Sequence, residues 1–158
     1  MTYKAYIIAA ITLIATNVNA KDWLIESHFM IGQENHGYKV LGASASRRLI
    51  NIFSAYGELD IMPDNDVFSS QRLNTEAGIK ARVETNSGFY MSAGSGFTLL
   101  SSRGKGLATN WQLPVTLEAG LTNDLGSIGI IFKHFSNGTS DYHNSGRNYI
   151  GFQVGHEF

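Results

Sequence analysis

Toward its C-terminus the chain reads Lys133-His134-Phe135-Ser136-Asn137-Gly138, at the end of an alternating apolar run. In a β-strand residues i and i+2 point to the same face, about 7 Å apart at the usual rise per residue. His134 and Ser136 therefore stand side by side on one face. An imidazole and a hydroxyl so placed can share a proton, which is what nucleophilic serine catalysis requires. His-x-Ser also arises by chance, so its weight depends on the elements that hold it.

The first twenty residues do not belong to that framework. Met1-Thr2-Tyr3-Lys4 is a short cationic start, Ala5 to Ala15 is almost unbroken apolar sequence, and Val18-Asn19-Ala20 offers the small residues a signal peptidase reads. This predicts a signal peptide over 1–20, cleaved before Lys21, and one mature domain over 21–158. The apolar run is too short for a spanning helix of about 20 residues. Loss of Lys4 with the leader takes the formal charge from −1 to −2, which leaves no basic field to attract nucleic acid. An exported chain without cysteine must be held by packing and backbone pairing alone.

Hydrophobic residues make up 43% of the chain, yet no apolar segment after residue 20 reaches the length of a membrane helix. Seventeen glycines against two prolines point to strands and tight turns. Alternation predicts eight strands, over residues 23–31, 38–46, 49–60, 73–84, 89–98, 109–121, 125–136 and 148–158. Arg47-Arg48 reads as the break between the second and third. Each strand has roughly the length a tilted membrane strand needs, and the connections alternate long and short. The fold expected is all-β, an eight-stranded antiparallel transmembrane β-barrel with short periplasmic turns and longer outer loops. In the last strand Ile150, Phe152, Val154 and Phe158 share one face, while Gly151, Gln153, Gly155 and Glu157 share the other. Apolar outside and polar or small inside is the membrane-barrel pattern. A soluble periplasmic barrel of lipocalin type would show the same period with its faces exchanged. Pro114 cannot donate to a ladder, and a closed barrel has no edge to place it on, so a bulge is expected there.

Parity then locates the motif. On the seventh strand Ile128, Ile130, Phe132, His134 and Ser136 share the face that is apolar until His134, the better candidate for the lipid side. Asn148 shares parity with Ile150 and Phe152. The connection 137–147 brings His134, Ser136 and Asn148 together at the outer end. Polar groups facing lipid are costly, and the arrangement makes sense if the substrate is itself an outer-leaflet lipid.

His134-Phe135-Ser136-Asn137-Gly138, followed by Asn144-Ser145-Gly146-Arg147-Asn148 and a final alternating strand, resembles the lipid A 3-O-deacylases of PagL type. The resemblance is specific in the last two strands and their loop. It implies an outer-membrane carboxylic ester hydrolase that removes the 3-position acyl chain of lipid A, the lipid of lipopolysaccharide. It implies Ser136 as nucleophile, His134 as general base, and Asn137, Gly138 and Asn144 as the groups that stabilise the oxyanion. The chain departs from the family at Asn148, where the best-known members carry glutamate. Asparagine can accept from the histidine N–H and hold the ring, but it does not offset imidazolium charge. Asn148 is the preferred orienting residue, with Asp141 in the loop as the alternative. Arg103, Lys105 and Arg147, placed in outer loops, could pair with lipid A phosphates or stand as solvated charges. Trp23, Tyr90 and Trp111 could form interfacial girdles or pack internally. His28, His36, His143 and His156, taken with His134, lack ligand spacing, so no metal and no cofactor are expected. The rival of a different class is a non-catalytic outer-membrane barrel, an adhesin or stability factor. A homodimer is left open.

Overall fold

The computed structural model describes residues 23–33, 39–63, 71–101, 109–136 and 146–158. Eight strands follow one another in chain order: β1 (Trp23–Gly32), β2 (Lys39–Ile50), β3 (Phe53–Pro63), β4 (Gln71–Glu84), β5 (Phe89–Leu100), β6 (Trp111–Asn123), β7 (Gly126–Ser136) and β8 (Arg147–Glu157). Each pairs antiparallel with its neighbours, and β1 pairs with β8, so the sheet closes into a barrel. Closure leaves no unpaired edge. The predicted leader, 1–20, and its cleavage point before Lys21 lie outside the described residues.

Alternation fixes which side chains face out. Ile79, Leu117, Ile130 and Val154 are about half exposed, and Phe152 reaches 68%. The buried positions between them carry Glu26, His28, Asp60, Glu76, Lys80, Glu118, Lys133 and Gln153. A chain that buries its charges and exposes its large aliphatics is built for lipid. This excludes the lipocalin arrangement, which has the opposite polarity.

The lumen is filled in layers. Toward the long connections Met30, Val40, Met62, Ile131, Phe135 and Tyr149 form an apolar cluster, with the Phe135 and Tyr149 rings edge to face at 5.7 Å. Below it Lys133 Nζ donates to Glu58, and to Glu76 at 3.1 Å. Glu76 also accepts from Tyr56 and from Thr98 Oγ1. His28 Nε2 donates to Asp60 Oδ1 at 2.8 Å in the same layer. Lower still, Lys80 Nζ lies 2.6 Å from Glu26 and 2.9 Å from Glu118. The Arg82 guanidinium stacks 3.8 Å over the Tyr90 ring. At the short-turn mouth a cavity of about 700 Å³ opens between Glu84, Asp124, His156 and Glu157.

Two expectations need correction. The break between β2 and β3 falls at Asn51-Ile52, not at Arg47-Arg48. Asn51 takes φ 46°, the left-handed conformation asparagine tolerates best after glycine. Arg47 instead continues β2 outward, 6.0 Å over the Trp23 ring of its cross-strand partner. Pro114 causes no bulge. The β5–β6 register is the same on either side of it, Ser95 opposite Val115 and Thr98 opposite Gln112. The ladder lapses opposite the proline, whose carbonyl accepts Ser95 Oγ at 2.9 Å. Of the two readings left open for Tyr90, internal packing holds, since it is fully buried in the lumen. Its ring needs the bare backbone of the neighbouring strands, since a Cβ on Gly129 would lie 2.3 Å from its hydroxyl.

Candidate active site

β7 and β8 carry the site because their registers interlock. His134 is the cross-strand partner of Asn148 on one side and of Val115 on the other, and Ser136 is the partner of Leu113. The alternation along β7 buries Lys133 and Phe135 and leaves His134 and Ser136 half-buried, on the face that carries Ile128 and Ile130. Asn148 stands with Ile150 and Phe152 on the same outer face. Leu113, Val115 and Ile150 are exposed beside the three polar groups. A histidine, a serine and an asparagine are thus presented to the bilayer at the long-connection end of an otherwise apolar wall.

The histidine is held in one orientation. Its Nδ1 lies 2.8 Å from Asn148 Oδ1. An amide oxygen only accepts, so Nδ1 donates and carries the proton, and the lone pair belongs to Nε2. Asn148 is itself anchored, since its carbonyl accepts the Gln33 N–H at 3.0 Å from across the β1 seam. Gly146, buried just before β8, adopts φ 69°. A Cβ there would lie 2.7 Å from His134 Cε1 and 3.1 Å from Nε2. The bare Cα of Gly146 therefore backs the edge of the ring that bears the free nitrogen. Sequence reading missed this residue. A glycine just before a strand ordinarily signals a turn, and contact with a ring twelve positions earlier leaves no local trace.

The remaining candidates separate. Arg147 is the first residue of β8, 3% exposed and on the lumenal face, not in an outer loop. Alternation demands it: with Asn148 facing out, Arg147 must face in, so its guanidinium is not presented to the outer leaflet. Asn137, Gly138 and Asn144, expected at the oxyanion, lie outside the described residues, as do Asp141, His143, Arg103, Lys105 and His36. His28 is not isolated as its sequence position suggested. It meets Glu58 and Asp60 inside the barrel, and the three offer ligand atoms within 4.8 Å of one another.

Comparison with known proteins adds three findings. A family model described as lipid A 3-O-deacylase (PagL) matches residues 65–157. The crystal structure of the outer membrane enzyme PagL superposes with a TM-score of 0.61 at 13% identity, covering 84% of this chain and 99% of that one. The crystal structure of Neisserial surface protein A (NspA) superposes with a TM-score of 0.63, also at 13% identity, covering 86% and 96%. At such identities the two structures speak for the barrel fold alone. No curated protein matches the chain.

Proposed function

The chain belongs to the lipid A 3-O-deacylase (PagL) family, whose model spans β4 to β8, and on that footing we propose that it is an outer-membrane serine esterase acting on the 3-position acyl ester of lipid A. The observation that carries this reading is the 2.8 Å contact between His134 Nδ1 and Asn148 Oδ1 on the lipid-facing wall, with Ser136 one strand repeat away on the same face.

The chemistry follows from the tautomer. Nε2 accepts the Ser136 hydroxyl proton as Oγ attacks the ester carbonyl carbon. The charge that develops on the carbonyl oxygen needs fixed donors, the role assigned to the side chains of Asn137 and Asn144 and the Gly138 N–H. As the tetrahedral intermediate collapses, the Nε2 proton passes to the departing sugar oxygen and an acyl-serine remains. Water then adds to that ester with His134 again as base, and the fatty acid leaves while Ser136 regains its proton. Asn148 holds the ring for both steps without adding a negative charge. Substrate reaches the site from within the outer leaflet, past Leu113, Val115 and Ile150.

The test is mass spectrometry of lipid A from Gram-negative cells producing the wild-type chain or Ser136→Ala. One hydroxyacyl unit should be lost with the wild type only. Identical lipid A from both would favour the non-catalytic barrel, a surface adhesin or stability factor.

A further inference from the structure

We infer that the barrel lumen holds a divalent-cation site of the first-row transition-metal class, formed by His28 on β1 with Glu58 and Asp60 on β3. Zinc is the probe of choice. The site is independent of the esterase reading and lies on the opposite face of the wall.

Register builds the site. His28 pairs with Gly42 of β2, and Gly42 pairs with Asp60 of β3, so the three positions form one inward row. The middle member has no side chain. A Cβ on Gly42 would lie 1.9 Å from Asp60 Oδ1 and 2.3 Å from His28 Nε2. The imidazole and the carboxylate meet in the space that glycine vacates. Glu58, two residues along β3, brings Oε1 to 3.8 Å from His28 Nε2, and Asp60 Oδ1 stands at 2.8 Å. Ligands bound at about 2.1 Å around a tetrahedral zinc lie about 3.4 Å apart, and the two separations straddle that value. One imidazole nitrogen with carboxylate oxygens suits zinc and its neighbours better than calcium or magnesium, which favour oxygen alone.

Two further observations favour a cation at this point. Asp60 is 1% exposed, and its Oδ2 makes no hydrogen bond. Among the described residues, the ion pairs of this layer join three carboxyl groups, Glu58, Asp60 and Glu76, to one ammonium, that of Lys133. Buried charge without compensation is costly. One divalent cation on neutral His28, Glu58 and Asp60 makes that group neutral, and leaves Lys133 and Glu76 as a balanced pair. Nε2 then binds the metal with the imidazole proton on Nδ1, and any proton held between the Glu58 and Asp60 carboxyls leaves to solvent as the metal binds. The cation replaces one hydrogen bond by coordinate bonds that tie β1 to β3 across β2.

The experiment uses the full untagged mature chain, refolded into detergent micelles with zinc sulfate and passed over chelating resin. The wild type should retain about one zinc per chain, with an X-ray absorption spectrum of one imidazole among oxygen ligands. Retention should raise the temperature at which the folded gel band is lost. His28→Ala and Gly42→Ala should each bind at least about tenfold more weakly. If those variants do not fold, the wild-type metal content decides alone. A wild type that retains no zinc overturns the inference. Equal retention by a folded His28→Ala overturns it, because the metal would then sit on other groups. Zinc bound only by Lys133→Met overturns it too, because the ammonium would then be the complete counter-charge.

Discussion

His134 owes its orientation to two contacts of different kinds. Asn148 fixes it by a hydrogen bond at Nδ1, and Gly146 fixes it by leaving room at Cε1 and Nε2. Asn148→Ala should release the ring and lower kcat by about 10²-fold, the low end of what a positioned base contributes. KM should change little, since the amide faces the histidine. Asn148→Glu places a carboxylate on the same nitrogen. It offsets the positive charge that forms on the ring as Nε2 takes the serine proton, and should raise kcat by about tenfold. Steady-state deacylation of lipid A in mixed micelles measures both. Gly146→Ala and Gly146→Asn should each lower kcat by about 10²-fold, because either Cβ displaces the ring. The asparagine variant separates displacement from backbone strain, since asparagine tolerates φ 69° better than alanine does.

At the scale of the element, β7 is one strand serving two sites. Lys133 points inward and balances the lumenal carboxylates, while His134 points outward to the candidate chemistry. In metal-free protein Lys133→Met should cost about 3–5 kcal/mol, because it leaves Glu58 and Glu76 buried without their cation. Denaturant titration in detergent measures it, and the loss should be regained in part when Glu58 is also replaced by Gln. The strands were legible in sequence because a period of two is local. The β8 pattern of Ile150, Phe152 and Val154 against Gly151 and Gln153 stands in the structure as read. The β2–β3 turn was not legible. Leu49, Ile50, Ile52 and Phe53 crowd it with apolar side chains that meet lipid, and the polar Arg47-Arg48 beside it imitates a break. The parity of Tyr90 was open to reading from Phe89 and Met91, both exposed.

For the whole molecule the decisive fact is inversion, apolar wall outside and charge within. Ile130→Arg, near the middle of β7 on the outer face, should cost about 2–4 kcal/mol in folding free energy in bilayers. Refolding yield into lipid vesicles, read by gel mobility, checks it. The outward row of His134, Ser136 and Asn148 was legible because strand parity carries across a single connection. The lumenal group was not. His28 lies 30 positions before Glu58 and 32 before Asp60, and only the paired register of three strands brings them to one point. Met30, Val40, Met62, Phe135 and Tyr149 cap the polar filling at its outer end. A cylinder stoppered by grease should pass no ionic current when inserted into a planar bilayer. High-level production should then leave the permeability of the host envelope to small solutes unchanged, which uptake of a fluorescent dye by producing cells measures.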